Sequence, residues 1–441
     1  MRLFKWMYPG LRIKRWLLLA LMGILLVLTG LSILWGREIV GFIELQLVHF
    51  FVSIIGDHSH EFYGALILGV GLAAIFVGVR SVIKSVVEIF VPEQQAKLID
   101  IIFAKRLLKS GPRVVVIGGG TGLSVLLRGL KQYTSNITAV VTVADDGGSS
   151  GRLREGMNIL PPGDIRNCLL ALADTEPLLE KLFGYRFDDG SELHGHSFGN
   201  LLIAAMTSIT GDFQKSVKEF GKVLAVRGQV FPVTIDQVEL QAELDDGSII
   251  TGENRIGAVT CAIKRLSLLP ENPSAVPEVL EALANADAII LGPGSLYTSI
   301  IPNLLVHDIA TSIAKSPAVK VYVCNIMTQP GETIGLTALQ HVKAIFAHSN
   351  ERCIDCVLVN NGQINDEVLL KYGEQGSVPV PFDVRAISQI GVKVIVEDFV
   401  QQQYLARHEP DKLAREIIKI VLSNTFSIDR RRREDSHTSL S

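Results

Sequence analysis

The hydrophobic pattern divides the chain in two. The first hundred residues hold an apolar run of 20 residues, Trp16 to Trp35, long enough to cross a bilayer. A second run, Phe62 to Val79, is rich in Gly and Ala. From about residue 112 the pattern changes to short β-branched runs separated by stretches of helical spacing. Arg113 to Ile117, Ile137 to Ala144, Ala286 to Leu291, Val319 to Cys324, Val357 to Asn360 and Val392 to Val396 are expected strands, and Leu123 to Tyr133 is an expected helix. Strands alternating with helices predict an α/β fold with a doubly wound, mostly parallel sheet, and continuously apolar strands fit burial on both faces. Two stretches depart from the alternation. Residues 165 to 225 read as a helical insertion, and residues 229 to 252 as antiparallel strands turning at Asp245-Asp246-Gly247.

Charge gives the apolar runs a direction. Arg2, Lys5, Arg12, Lys14 and Arg15 precede the first, while Arg80, Lys84, Lys97, Lys105, Arg106 and Lys109 follow the second. Glu38, Glu44, Asp57 and Glu61 lie between them. The positive-inside rule then predicts an N-terminal transmembrane helical hairpin at the cell membrane, in contact with lipid, with both ends and the main domain in the cytoplasm. The first run is too long for a signal-peptide core, and no small-x-small cleavage site follows it. A third apolar stretch, Ile39 to Ile55, carries Glu44 and His49 and reads as an interfacial or partly buried helix. The expected organisation is therefore a hairpin over 1–90 (spans 16–35 and 62–79), a basic linker helix over 91–111, a nucleotide-binding domain over 112–425 and a disordered tail over 426–441.

Composition narrows the class. Hydrophobic residues make up 48% of the 441 and charged residues 20%, enough to bury a core. A net charge of −3 argues against a mainly nucleic-acid-binding protein. Five cysteines, an odd and sparse set, suit a reducing compartment, and Cys353 and Cys356 read as packed thiols.

Five segments can carry chemistry. Gly118-Gly119-Gly120-Thr121-Gly122 follows a strand and opens a helix, so its backbone can approach a phosphate at a helix N-terminus. It matches neither the dinucleotide fingerprint nor a Walker A loop. Asp145 and Asp146 end the second expected strand before Gly147-Gly148-Ser149-Ser150-Gly151. They can hold a metal, accept from a ribose or orient an acceptor hydroxyl, and the following loop can bind an anion. In Pro161 to Asn167 a rigid turn brings Asp164, Arg166 and Asn167 together, and Arg166 can pair with a phosphate or with Asp164. His194 to Asn200 offers His196, Gly199 and Asn200 as a pocket lip. Gly292-Pro293-Gly294 follows another strand, with Ser295 to cap the next helix and Tyr297 either to stack on a base or to pack. Asn325 ends the next strand on the same rim.

Together VVVIGGGTGLSVLLRGLK, TVADDGGSSGRLR, PPGDIRN, HSFGNLL, GPGSLYTS and CNIMTQPGET resemble the YvcK proteins, or gluconeogenesis factors, within the wider family of CofD, the 2-phospho-L-lactate transferase. The resemblance covers roughly residues 112 to 425. It implies a Rossmann-like three-layer domain with extra helices. It also implies a UDP-sugar such as UDP-N-acetylglucosamine, or another nucleotide diphosphate, as ligand, with Gly119, Gly120, Thr121, Asn200 and Tyr297 touching it. Asp145 and Asp146 match carboxylates near the CofD reaction centre, where Mg²⁺ would bind. Ala144 stands where CofD itself carries glycine, which favours the YvcK branch. The hairpin is an addition to the soluble members.

The expectation is a regulatory nucleotide-sugar-binding protein supporting cell shape and envelope synthesis, a homo-oligomer working beside envelope-synthesis proteins. A Mg-dependent transferase resembling 2-phospho-L-lactate transferase is the alternative, and a membrane scaffold with a vestigial site a third.

Overall fold

The structure is a computed structural model. It describes residues 14–35, 46, 49, 50, 52, 60–90 and 106–438, apart from 175, 176, 189, 191, 192, 260, 403 and 404. The expected interfacial segment Ile39 to Ile55 and the linker over 91–111 lie largely outside those residues. The chain divides into two compact units, Met1–Lys105 and Arg106–Ser441.

In the first unit, helix α1 (Lys14–Trp35) packs along helix α2 (His60–Phe90). Glycines make the contact. A Cβ added to Gly23 would sit 2.8 Å from the Gly71 carbonyl oxygen, and one added to Gly30 would sit 2.8 Å from the Leu68 nitrogen. With no side chain between them the two backbones come close, the packing mode of helices in lipid. Several bulky residues point outward, with Leu18, Leu21 and Phe76 exposed by 59–68%, while Tyr63 and Ile67 are buried. Among the described residues one helix, Phe62–Val82, is long and apolar enough to cross a membrane; the apolar part of α1, Leu18–Leu34, is shorter.

The second unit is built on seven strands: β1 (Val114–Gly118), β2 (Ile137–Val141), β3 (Gln229–Pro232), β7 (Ala288–Leu291), β8 (Val319–Val323), β9 (Cys356–Asn360) and β10 (Lys393–Glu397). Their order is β10-β9-β8-β7-β1-β2-β3, and every pair is parallel. The central strands are buried along their whole length because helices cover both faces, and burying a Val or Ile contributes about 1.5–3 kcal/mol. Cys353 and Cys356 are buried free thiols, as expected.

One expectation needs correcting. Gln229–Pro232 does not join an antiparallel sheet but extends the parallel one beside β2, with Val230 opposite Ala139. Val230 and Pro232 are buried there, and the strand's proline suits an edge position. The antiparallel sheet is a separate set of three, β4 (Glu239–Leu244), β5 (Ile249–Thr251) and β6 (Ile263–Leu269), in the order β5-β4-β6. The turn between β4 and β5 does form at Asp245 to Ser248, with Gly247 at φ +82°. The helical insertion comprises helices Gly163–Leu172, Pro177–Gly184, Phe198–Thr210 and Phe213–Val223. The last helix runs Pro410–Thr438, so helical backbone extends into the tail expected to be disordered. No proline or glycine interrupts it after Pro410.

Candidate functional site

From β1 the chain moves outward to β2 and β3 on one side, then returns to place β7 on the other side of β1. The gap between β1 and β7 is the switch point of the sheet, where open α/β folds form a crevice beyond the carboxyl ends of their strands. Both Gly-rich turns open there. Gly119 to Gly122 follow β1, and Pro293, Gly294 and Ser295 follow β7; all line one cleft of about 670 Å³. The turns nearly touch. A Cβ on Gly122 would sit 2.7 Å from the Pro293 carbonyl oxygen, and one on Gly119 would sit 2.6 Å from Asp164 Oδ2. Gly120, at φ +67°, needs the left-handed freedom of glycine.

The helix that starts at Gly120 (Gly120–Leu130) has Gly119 at its N-cap and no side-chain cap. Some helices here carry a side-chain cap, with Ser197 accepting from Asn200 N–H, Asp212 from Lys215 N–H and Thr337 in a capping box with Gln340, while others, such as Gly148–Met157 and Gly163–Leu172, do not. Asp164 takes the Gly120 N–H, and the remaining N–H groups of the first turn and the positive end of the helix dipole are left to an anion. Asn303 fixes the two turns to each other. Its buried Nδ2 donates to the Gly118 carbonyl at 3.1 Å and to the Ser299 carbonyl at 2.6 Å.

Four carboxylates line the cleft, Asp145, Asp164, Glu253 and Glu332, against one guanidinium, Arg407. Asp145 Oδ1 accepts from Gly147 N–H at 2.9 Å. Burial, then the Asp145 charge, pushes the Asp164 pKa up to about 6, partly offset by the Gly120 N–H bonded to it. Burial and the surrounding carboxylates, Asp145 first, raise Glu253 to about 7. Glu332, raised by burial, accepts from Tyr297 N–H at 3.2 Å and Thr298 Oγ1 at 3.0 Å. It thereby ties segment 327–333 to the turn after β7. Gln329 adds a second tie, donating to Ser295 Oγ at 2.8 Å and accepting from Asn325 Nδ2 at 2.9 Å.

Of the site residues expected from sequence, Gly119, Gly120, Thr121, Gly122, Asp145, Asp164, Gly294, Ser295 and Asn325 line the cleft. The others do not. Asp146 turns to the short helix Glu253–Ile256 that follows β5, where its Oδ1 accepts from Asn254 N–H at 2.9 Å. Ser149, Arg166, Asn167, His196, Gly199 and Asn200 form their own network. Buried Arg166 donates to Ser197 Oγ, to Asn200 Oδ1 at 2.8 Å and to Asn167 Oδ1 at 2.7 Å. Asn200 Nδ2 donates to Ser149 Oγ at 3.1 Å, which lies 3.0 Å from His196 Nδ1. Gly199 packs on the Arg166 side chain. The two terminal nitrogens of Arg166 thus bond neighbouring side chains while its buried Nε has no partner, and burial lowers its pKa to about 10. Gly147 is the N-cap of helix Gly148–Met157. Gly292 (φ +79°) shapes the turn from beneath. Tyr297 is 5% exposed and packs edge-on to His348, the packing role of the two considered. Ser295 makes no side-chain cap; its hydroxyl serves Gln329. Sequence reasoning missed Glu253, Gln329, Glu332 and Ser377. Gln329 and Glu332 sit inside the CNIMTQPGET segment, which was the available signal.

A parallel doubly wound sheet whose two glycine turns meet at its switch point defines a Rossmann-like protein. The chain belongs to the CofD family: the family model described as 2-phospho-L-lactate transferase CofD matches residues 114–400. Within it the chain falls in the gluconeogenesis-factor (YvcK) branch. The gluconeogenesis factor of Bacillus subtilis (strain 168) is 51% identical over 311 residues, covering 70% of this chain and 98% of its own length. A relative from Nostoc sp. is 49% identical over 420 residues, 94% of this chain and 92% of its own, so the match includes most of the N-terminal unit. A crystal structure of a Bacillus halodurans protein, described as a member of the UPF0052 family, has a TM-score of 0.68 at 50% identity, covering 70% of this chain and 99% of that one.

Proposed function

We propose that this protein is a nucleotide-sugar-binding regulator of the gluconeogenesis-factor type, holding a UDP-N-acetylglucosamine-like ligand and supporting cell shape and envelope synthesis. The observation that carries the reading is the meeting of two glycine turns at a helix N-terminus in one cleft, which suits a diphosphate. Binding without turnover is favoured because three of the four cleft carboxylates are occupied in holding loops: Asp145 on Gly147, Asp164 on Gly120 and Glu332 on Tyr297 and Thr298.

The acidic lining implies that a cation accompanies the diphosphate, since like charges would otherwise oppose it. Among the described residues no three His, Cys, Asp or Glu side chains gather to hold a metal alone. Mg²⁺, however, ordinarily takes one or two carboxylates together with substrate phosphates, and Asp145 with the ligand's own oxygens fits that pattern. Asp146, turned away, does not. The Mg-dependent transferase reading is favoured by one feature, the unbonded Glu253 near Asp145 with its pKa raised to about 7, a value suited to proton exchange with an acceptor hydroxyl.

The hairpin would hold this domain at the cytoplasmic face of the membrane. Supporting this are the 21-residue apolar helix Phe62–Val82, the outward-facing leucines of α1 and the flanking basic residues.

Calorimetric titration of the full chain in detergent with UDP-N-acetylglucosamine and with GDP, with and without Mg²⁺, tests the reading. Saturable UDP-sugar binding that leaves the ligand intact is expected. Mg-dependent consumption would move the protein to the transferases, and no binding of either nucleotide would end both readings. Labelling of single cysteines placed at Lys109 and Asp57 tests the topology: only Asp57→Cys should react with an impermeant reagent from outside the cell.

A further inference from the structure

One wall of the cleft is carried by the three-stranded sheet. From β5 the chain turns through Gly252 into the short helix Glu253–Ile256, and Glu253 and Gly257 line the cleft. On the far side of that sheet β6 pairs with β4 alone. Its other edge meets the helix Ala338–Ser349, and a histidine makes the contact: Leu266 N–H donates to His348 Nε2 at 3.0 Å.

His348 can accept that bond in one form only. Its Nδ1 lies 2.7 Å from the Ala344 carbonyl, one turn back along its own helix. A carbonyl oxygen only accepts, so Nδ1 carries the hydrogen and Nε2 is a bare lone pair facing Leu266 N–H. The two partners together fix the neutral ring and its tautomer. A second proton, on Nε2, would set donor against donor. Tyr297, from the turn after β7, packs edge-on with 6.0 Å between ring centres, and Glu332 holds its N–H. His348 therefore stands behind the cleft, between the wall that bears Glu253 and the turn that follows Gly294.

The surroundings disfavour the charged ring. Burial holds its pKa below the ordinary 6.5; the Ala344 carbonyl opposes this, and Arg265 on β6 adds to it. Tyr297 brings no charge, because burial, then Asp245 and Glu332, raise its own pKa and keep the phenol neutral. The Leu266 bond is thus intact above about pH 6.5 and is lost as pH falls below that value. Arg154 Nη2, which donates to the Val238 carbonyl at 2.7 Å, and Asp146, which holds Asn254, secure the opposite side of the sheet, so the loss loosens one edge and leaves the fold in place.

We propose that His348 is an acid-sensitive latch: as the neutral imidazole it holds β6, and with it the cleft wall bearing Glu253 and Gly257, and as the imidazolium it loosens both. His348 touches no ligand and is a positioning residue. The inference goes beyond nucleotide-sugar binding and does not depend on it.

Hydrogen exchange read by mass spectrometry tests it, on the full chain in detergent without ligand, at pH 7.5 and pH 5, corrected for the intrinsic pH dependence of exchange. In the wild type, Ile263–Leu269 and Glu253–Ile256 should exchange about tenfold faster at pH 5, while Val114–Gly118 in the central sheet keeps its protection. His348→Gln, whose side-chain oxygen can accept from Leu266 N–H but does not titrate, should keep both segments protected at either pH. His348→Leu, with no acceptor, should leave both loose at either pH. Equal wild-type protection at the two pH values would overturn the latch, as would an acid response that survives in His348→Gln, or His348→Leu as protected as the wild type at pH 7.5. If Val114–Gly118 loosens in step, the event is global unfolding and the latch falls. If β6 loosens and Glu253–Ile256 does not, the bond holds a strand and not the cleft wall, and the proposal falls with it.

Discussion

The two units of this chain make their closest contacts through different kinds of residue. The hairpin puts glycine inside, Gly23 against Gly71 and Gly30 against Leu68, and leaves Leu18, Leu21 and Phe76 outside. The α/β unit puts Val114 to Ile117 and Ala288 to Leu291 inside and leaves charged side chains outside. The difference is the one expected if the first unit sits in lipid, as proposed, and the second in water. In water, burying leucine is the main driving force; in lipid it gains nothing, and close backbone approach takes over. Glycine does similar geometric work in both units, since Gly122 lets two turns meet just as Gly71 lets two helices meet.

Substitutions sharpen this contrast. Gly122→Leu would drive a side chain into the Pro293 carbonyl and should cost about 3 kcal/mol or more while abolishing nucleotide binding. Urea unfolding of the full chain in detergent checks it, and an unchanged midpoint would mean the turns are not in contact. Leu21→Asp should cost about 3 kcal/mol in lipid, visible as reduced membrane insertion. Asn303→Ala leaves the Gly118 and Ser299 carbonyls without their shared donor and should cost about 2 kcal/mol, with weaker ligand binding in proportion.

Smaller effects come from the acidic end. Asp164 and Glu253 have pKa values of about 6 and 7 in the fold, above their ordinary 3.8 and 4.5. The folded state therefore holds extra protons between those limits. The stability they contribute is full below about pH 4 and is lost as pH rises through 6 to 7. Glu253→Gln should raise stability at pH 8 by about 1 kcal/mol and flatten the melting temperature between pH 5 and 8. If the variant keeps the wild-type pH profile, Glu253 is not buried beside the other carboxylates. Smallest of all, Leu178→Asp, at a 73% exposed position of the α/β unit, should stay within about 0.5 kcal/mol in urea unfolding, against the large effect expected at Leu21.

The strands and both glycine turns were legible because each is a local signal: a β-branched run, a glycine cluster, a helical spacing. β3 was misassigned because a four-residue strand reads the same whether its neighbour is parallel or antiparallel. Asp145 and Asp146 look equivalent in sequence, yet one faces the cleft and the other holds Asn254, a choice made by the three-stranded sheet more than a hundred positions away. Glu253 and Ser377 carry no motif, and only the folded chain brings them to the cleft. Arg166, Asn200, Ser149 and His196 come from three separate sequence segments, and only the fold shows that they bond one another.

The strand order has a consequence for how the protein is made. β1 and β7 lie side by side, and the Arg113 N–H that bonds Asp287 reaches across 174 positions of sequence. A nascent chain on the ribosome therefore carries the first glycine turn long before the second exists. If the two turns hold the proposed ligand together, no fragment ending short of Ser295 should bind it, and binding competence should emerge only late in translation.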